Sequence, residues 1–244
     1  AAVCRKAAMD IGSGKARVRV GKQKLAAYLG APKYTHGAID AINEIGLANG
    51  LAWTSLGGET LQIEVQIVPG SGQVILTGKL GDVMQESAKA ALTFIKAHAE
   101  EFGITLPLDK KDIHLHVPEG AVPKDGPSAG ITIMTAMLSA LSGIPARADT
   151  AMTGEITLRG RVLEIGGLRE KLLAAYRAGI KRVLIPKANE KDLSDVPDEV
   201  KANMEIIGVA SAFDVIPLAL EHTPQKTADA FIPQHAHSGA AAAQ

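Results

Sequence analysis

After Ser128, residues 129–141 are apolar around the whole of a helical projection, interrupted only by Thr132, Thr135 and Ser139. A helix with no polar face has to be covered on every side, so it belongs inside a layered domain. It is also too short to cross a bilayer, which takes roughly 20 apolar residues. No longer apolar run exists in the chain, so no membrane partner is expected.

Around this segment the periodicity changes repeatedly. Leu61, Ile63, Val65 and Ile67 alternate with Gln62, Glu64, Gln66 and Val68, a half-buried strand that starts near Thr60. Residues 69–72 read as a turn, and residues 73–77 as a second strand closing a hairpin. Apolar residues at helical spacing run from Val83 to Phe102, between Gly78 and Gly103. Ile113, Leu115 and Val117 then alternate with His114 and His116, placing both histidines on one strand face. Two strands about Gly160, a helix over 167–178, strands over 183–185 and 204–208 and a helix over 212–220 complete the pattern. The expected fold class is α/β of the mixed α+β kind, with mixed sheets and packed helices in two or three layers. Upstream, a helix over 1–10, a short strand over 16–20 and a helix over 22–29 are expected.

Organisation follows from composition. Gly30, Pro32, Gly37, Gly46, Gly50, Gly57 and Gly58 make residues 30–59 a linker and entry loop. The core domain is expected over 60–222, and the Ala-, His- and Gln-rich residues 223–244 as a disordered tail. The formal charge of zero hides an asymmetry: residues 1–24 carry seven basic residues against Asp10, and the rest is acidic by the same margin. Such a balance does not favour general capture of nucleic acid. A lone cysteine, Cys4, excludes a disulfide framework and fits a reducing compartment.

The segment with the most chemical content is Pro123-Lys-Asp-Gly-Pro-Ser-Ala-Gly130. A tight turn delivers Ser128 to a helix start, where backbone N–H groups lack intrahelical acceptors and can hold an oxyanion. A serine there is also simply a favoured helix-start residue, so the loop alone leaves both readings open. His114 or His116 with Asp125 would make a Ser-His-Asp set, but nothing in the spacing fixes their geometry. Lys171 is the better base. At about 100° per residue it falls in the arc of Leu168, Leu172, Ala175 and Ala178, whereas Arg169, Glu170 and Arg177 point away. An ammonium on an apolar stripe either snorkels outward or loses its proton, and the neutral amine is a general base. Gly12-Ser-Gly-Lys15 and Gly78-Lys79 lack the spacing of a nucleotide-binding phosphate loop. His235 and His237 form too small a set for a metal, and none is assigned.

These segments, together with Gly50-Leu-Ala-Trp-Thr54, Gly57-Gly58, Gly81-Asp-Val-Met-Gln-Glu-Ser87, His114-Leu-His-Val-Pro-Glu-Gly120, Met152-Thr-Gly-Glu-Ile-Thr-Leu-Arg-Gly160 and Gly166-Gly-Leu-Arg-Glu-Lys-Leu-Leu-Ala-Ala175, resemble the proteolytic domain of the Lon family of AAA+ proteases, of the bacterial soluble type. The resemblance covers roughly residues 45–220. It implies that Ser128 is the nucleophile and Lys171 its base, with Thr153 orienting the amine and Asp125 in a regulatory pre-serine loop. It further implies peptide-bond hydrolysis of unfolded or damaged polypeptides through an acyl-enzyme, in a hexamer of the bacterial cytoplasm or, alternatively, the mitochondrial matrix. Residues 1–29 then correspond to the end of an AAA+ lid, so the chain starts inside a longer one. ATP and Mg²⁺ would belong to that missing ATPase domain, and no cofactor is expected in this chain. Two other classes stay open: a phosphate-binding small-molecule kinase, which needs a cluster of Mg²⁺-binding carboxylates, and a non-catalytic oligomerisation module.

Overall fold

The structure is a computed structural model that describes residues 2–30, 42–54, 57–118 and 122–225. The chain forms two compact units, Ala1–Ala38 and Ile39–Gln244. In the first, α1 (Ala2–Gly12) and α2 (Lys22–Leu29) are joined by Lys6 Nζ donating to the Ala27 carbonyl at 3.2 Å and by the Tyr28 hydroxyl donating to Asp10. Residues 16–20 are not the expected strand. Alternation alone builds no strand where no neighbour supplies a ladder.

The second unit is built on a seven-stranded mixed sheet. Its strands are β1 (Leu47–Thr54), β2 (Gly57–Pro69), β3 (Val74–Thr77), β4 (Lys111–His116), β5 (Thr150–Met152), β8 (Arg182–Pro186) and β9 (Glu205–Val209), and β6 (Glu155–Ile156) and β7 (Val162–Leu163) form a separate small hairpin. The spatial order is β3-β4-β2-β1-β5-β8-β9. β2 is antiparallel to β1 and β4, and the other neighbours are parallel. The helices are α3 (Asp82–Ala97), α4 (Gly130–Ser142), α5 (Leu168–Arg177), α6 (Asp198–Asn203) and α7 (Ala212–Ala219).

Strand alternation sorts the core into two halves. Met152 and Leu184 join the cluster that holds α3, α4 and α7, whereas Leu51, Ala151, Val183 and Ile185 join the one that holds α5 and α6. The result is three layers, helices on both faces of the sheet. α4 lies deepest: 11 of its 13 residues are buried, and so its hydroxyls need internal acceptors. Thr132 donates to the Met152 carbonyl at 3.2 Å, Thr135 to the Ile131 carbonyl at 2.8 Å, and Ser139 to the Ile144 carbonyl at 2.5 Å. Leu138, fully buried on this helix, should cost roughly 2–5 kcal/mol when cut back to alanine. A urea midpoint unchanged in Leu138→Ala would contradict this packing.

Two expectations need correction. β2 and β3 do not form a hairpin, because β4 is inserted between them. The connection therefore spans two strand spacings, about 10 Å, and it is held open by Asp112, whose Oδ1 accepts from the Ser71 and Gln73 N–H groups at 2.8 Å. Residues 47–54 and 57–59, read as part of a linker, are instead β1 and the start of β2 in the middle of the sheet. Gly50 and Gly58 mark close approaches rather than turns: a Cβ on Gly50 would sit 3.1 Å from Thr132 Oγ1. Residues 31–41 and 55–56 of the expected linker, residues 226–244 of the expected tail, and His235 and His237 lie outside the described residues.

Candidate active site

Ser128 sits in a single 3-10 turn, Pro127–Ala129, that leads straight into α4. The turn is held from two directions. From one, the Ser128 carbonyl accepts the Gly154 N–H at 2.8 Å and the Thr153 hydroxyl at 3.2 Å, and the Gly154 carbonyl accepts the Ile131 N–H at 3.1 Å. From the other, Asp125 Oδ1 accepts from Gly126 N–H at 2.8 Å and from Met84 N–H at 3.1 Å, so the carboxylate caps α3 and anchors the loop before Ser128 together. Gly81 makes room for that carboxylate, since a Cβ there would lie 2.3 Å from the Asp125 Cγ.

Thr153 follows β5, and its N–H donates to the Leu184 carbonyl at 3.1 Å, continuing the β5–β8 ladder by one bond. Lys171 stands in the first turns of α5, on the face that packs on the sheet, and is 1% exposed. Its Nζ lies 3.0 Å from Ser128 Oγ and 3.0 Å from Thr153 Oγ1. The Thr153 proton is committed to the Ser128 carbonyl, so its oxygen faces the amine as an acceptor. One amine N–H is thereby directed to Thr153, which leaves the lone pair free to face Ser128. Burial is the cause that lowers the Lys171 pKa, from 10.5 to about 8. An amine with that value is neutral in an appreciable fraction near pH 7 and can take a proton from a hydroxyl at hydrogen-bond distance.

Of the sequence-predicted residues, the fold brings together Ser128, Lys171 and Thr153. His114 and His116 do share a strand face, but their ring nitrogens meet the Thr77 hydroxyl, Nε2 at 3.0 Å and Nδ1 at 2.7 Å. Neither histidine forms a set with Ser128 and Asp125. Asp125 works on the backbone of the turn, and Ser87, beneath it, is 3.5 Å from the Pro127 carbonyl. Neither anchoring role was legible from spacing, because both bridge elements some 40 residues apart. Among the described residues no group of three His, Cys, Asp or Glu side chains is placed to hold a metal ion. The Mg²⁺-binding cluster that a kinase would need is therefore not found among them. Nor is any described helix long and apolar enough to cross a membrane.

Residues 19–222 match the family described as the Lon protease (S16) C-terminal proteolytic domain. The chain is 56% identical to the Lon protease of Nitratidesulfovibrio vulgaris over 90% of its own length and 27% of that protein, and 54% identical to Lon protease 1 of Myxococcus xanthus over 89% and 27%. It is 50% identical to the Lon protease of Brucella suis over 99% of its length and 31% of that protein. The chain thus spans between a quarter and a third of the length of these curated relatives.

Proposed function

Because this chain belongs to the Lon proteolytic-domain family, we propose that it is a serine endopeptidase in which Ser128 is the nucleophile and Lys171 the general base. The observation that carries this reading is the buried Nζ 3.0 Å from Ser128 Oγ, on a helix start that offers backbone N–H groups. Neutral Lys171 removes the Ser128 proton as Oγ attacks the scissile carbonyl carbon. Backbone N–H groups near Ser128 hold the oxyanion. The resulting ammonium gives its proton to the leaving amine, and an acyl-enzyme remains. The amine, neutral again, then takes a proton from water, whose oxygen attacks the ester, and Ser128 leaves with the proton returned to it.

The sheet supports an extended substrate. β5 pairs with β1 only at Asn49 and Gly50 before the chain turns away toward Ser128. Residues 51–53 of β1 lie beyond the β5 pairs along the edge next to the site, and a peptide can bind there by strand addition. Unfolded or damaged polypeptides offer such segments. Within a longer chain, an AAA+ domain using ATP and Mg²⁺ would deliver them to a hexamer in the bacterial cytoplasm.

The reading is tested by reacting the protein with a fluorophosphonate or peptide boronate and locating the adduct by mass spectrometry. Label on Ser128 is expected, and label elsewhere rejects the assignment. The rate should also climb roughly tenfold per pH unit below about 8, where Lys171 is mostly protonated, and level off above it. A rate flat from about pH 6 to about pH 9 would exclude the lysine as base.

A further inference from the structure

The ends of β1 and β2 grip α5 at three places along its length. At its N-cap, Gly167 lies under Trp53, so a Cβ there would be 2.5 Å from the indole Cδ1. In its last turn, Arg177 Nη2 donates to the Gly58 carbonyl at 2.9 Å. Between them, Gly58 presses on the helix backbone itself. A Cβ on Gly58 would lie 1.9 Å from the Glu170 carbonyl oxygen, 2.4 Å from its carbon and 3.0 Å from the Lys171 nitrogen. That peptide is the one leading into Lys171.

Gly58 pairs with Trp53 in the β1–β2 ladder and has no left-handed φ. Its backbone would accept any side chain, and only the contact with α5 forbids one. To restore ordinary contact, a methyl group there has to push the peptide away by roughly 1.5 Å. The Lys171 stem, buried to 1% exposure, has little room to make up that distance. Its amine is held at 3.0 Å from two hydroxyls on other elements.

We propose that Gly58 is a positioning residue for the Ser128–Lys171 pair: its missing side chain lets α5 seat against the β1–β2 strands at the depth that places Nζ between the two hydroxyls. This rests on the dyad reading above. Gly58 touches no reacting atom and acts through the helix backbone. Its neighbour Arg177, on the exposed side, holds the same seam closed.

Gly58→Ala, Arg177→Ala, Arg177→Lys and Ser128→Ala are compared with the parent chain for peptide hydrolysis, rate of fluorophosphonate labelling and circular dichroism. Gly58→Ala should lower kcat on the order of 10²-fold, the effect of an ångström-scale misplacement, with KM within about twofold. Its pH–rate limb should move to higher pH, because a parted seam admits water to the amine and lessens its desolvation. A folded Gly58→Ala with the parent's kcat and pH profile overturns the proposal. Should Gly58→Ala fail to fold, Arg177→Ala decides. It should lose about 3- to 10-fold in kcat with the limb moved the same way, partly restored in Arg177→Lys, and no change overturns the proposal. Hydrolysis retained in Ser128→Ala would instead defeat the dyad reading, whereas an inactive Ser128→Ala beside a normal Gly58→Ala defeats only the role of Gly58.

Discussion

Lys171→Met should abolish peptide hydrolysis while making the protein more stable at pH 7. Loss of the base, like loss of the nucleophile in Ser128→Ala, should lower kcat by at least about 10⁴-fold, since members of such a unit fail together. The stability gain comes from linkage. In the unfolded chain Lys171 titrates at its ordinary 10.5, and in the folded one burial lowers that to about 8. Between these values the unfolded state binds more protons, so stability rises with pH across that window. Below about pH 8 the lysine is charged in both states and the full penalty of burying it applies, roughly 3 kcal/mol at one pKa unit per 1.36 kcal/mol. Methionine has a similar length and no charge. It forfeits two hydrogen bonds worth about 1 kcal/mol each, which leaves a net gain on the order of 1 kcal/mol. For a chain of this size that raises Tm by about 2–4 °C. Urea denaturation at pH 7 and pH 10 checks both parts: the parent should gain stability between those values and the variant should not. A variant destabilised at pH 7 would mean that Nζ is better satisfied than its surroundings indicate.

Thr153→Val should reduce kcat on the order of 10²-fold with the fold retained. Valine keeps the shape but removes the acceptor that directs the Lys171 amine and the donor to the Ser128 carbonyl. That carbonyl still receives the Gly154 N–H at 2.8 Å, so no buried acceptor is orphaned, and the two lost hydrogen bonds cost about 2 kcal/mol together. The pH profile separates this loss from a structural one. A hydrogen bond to Thr153 Oγ1 favours the ammonium more than the neutral amine, so its removal lowers the Lys171 pKa further and moves the rate limb to lower pH. This is opposite in sign to the shift expected for Gly58→Ala. Thr153→Ser, which keeps the hydroxyl, should restore most of the rate. A Thr153→Val protein with unchanged kcat would assign Thr153 to β5 packing alone.

Elements with a strong local period were readable before any fold was known. The apolar 129–141 run became α4, and the alternation of Leu61, Ile63, Val65 and Ile67 became β2. The charged and apolar arcs of 168–178 became α5 with Lys171 turned inward. Elements whose local signal was weak were misread in a consistent direction. β1 contains Gly50 and the next strand has Gly58 at its start, and glycine signals a turn unless a helix is known to pass within contact of it. β3 was expected beside β2 because sequence neighbours usually pair, and the insertion of β4 is a long-range choice that no turn announces.

Residue types and their periods sufficed to place Ser128 at a helix start and Lys171 on an apolar stripe, since backbone preference and burial act within one element. The distances that make these residues a unit have another origin. Thr153 enters the site because the chain leaves β5 for β6 there, Asp125 because the pre-serine loop crosses the start of α3, and Lys171 because α5 rests on Gly58. Each is a contact between segments far apart in the chain. Contacts of that kind arise only when the layers pack, because close packing rather than local preference sets separations to within an ångström.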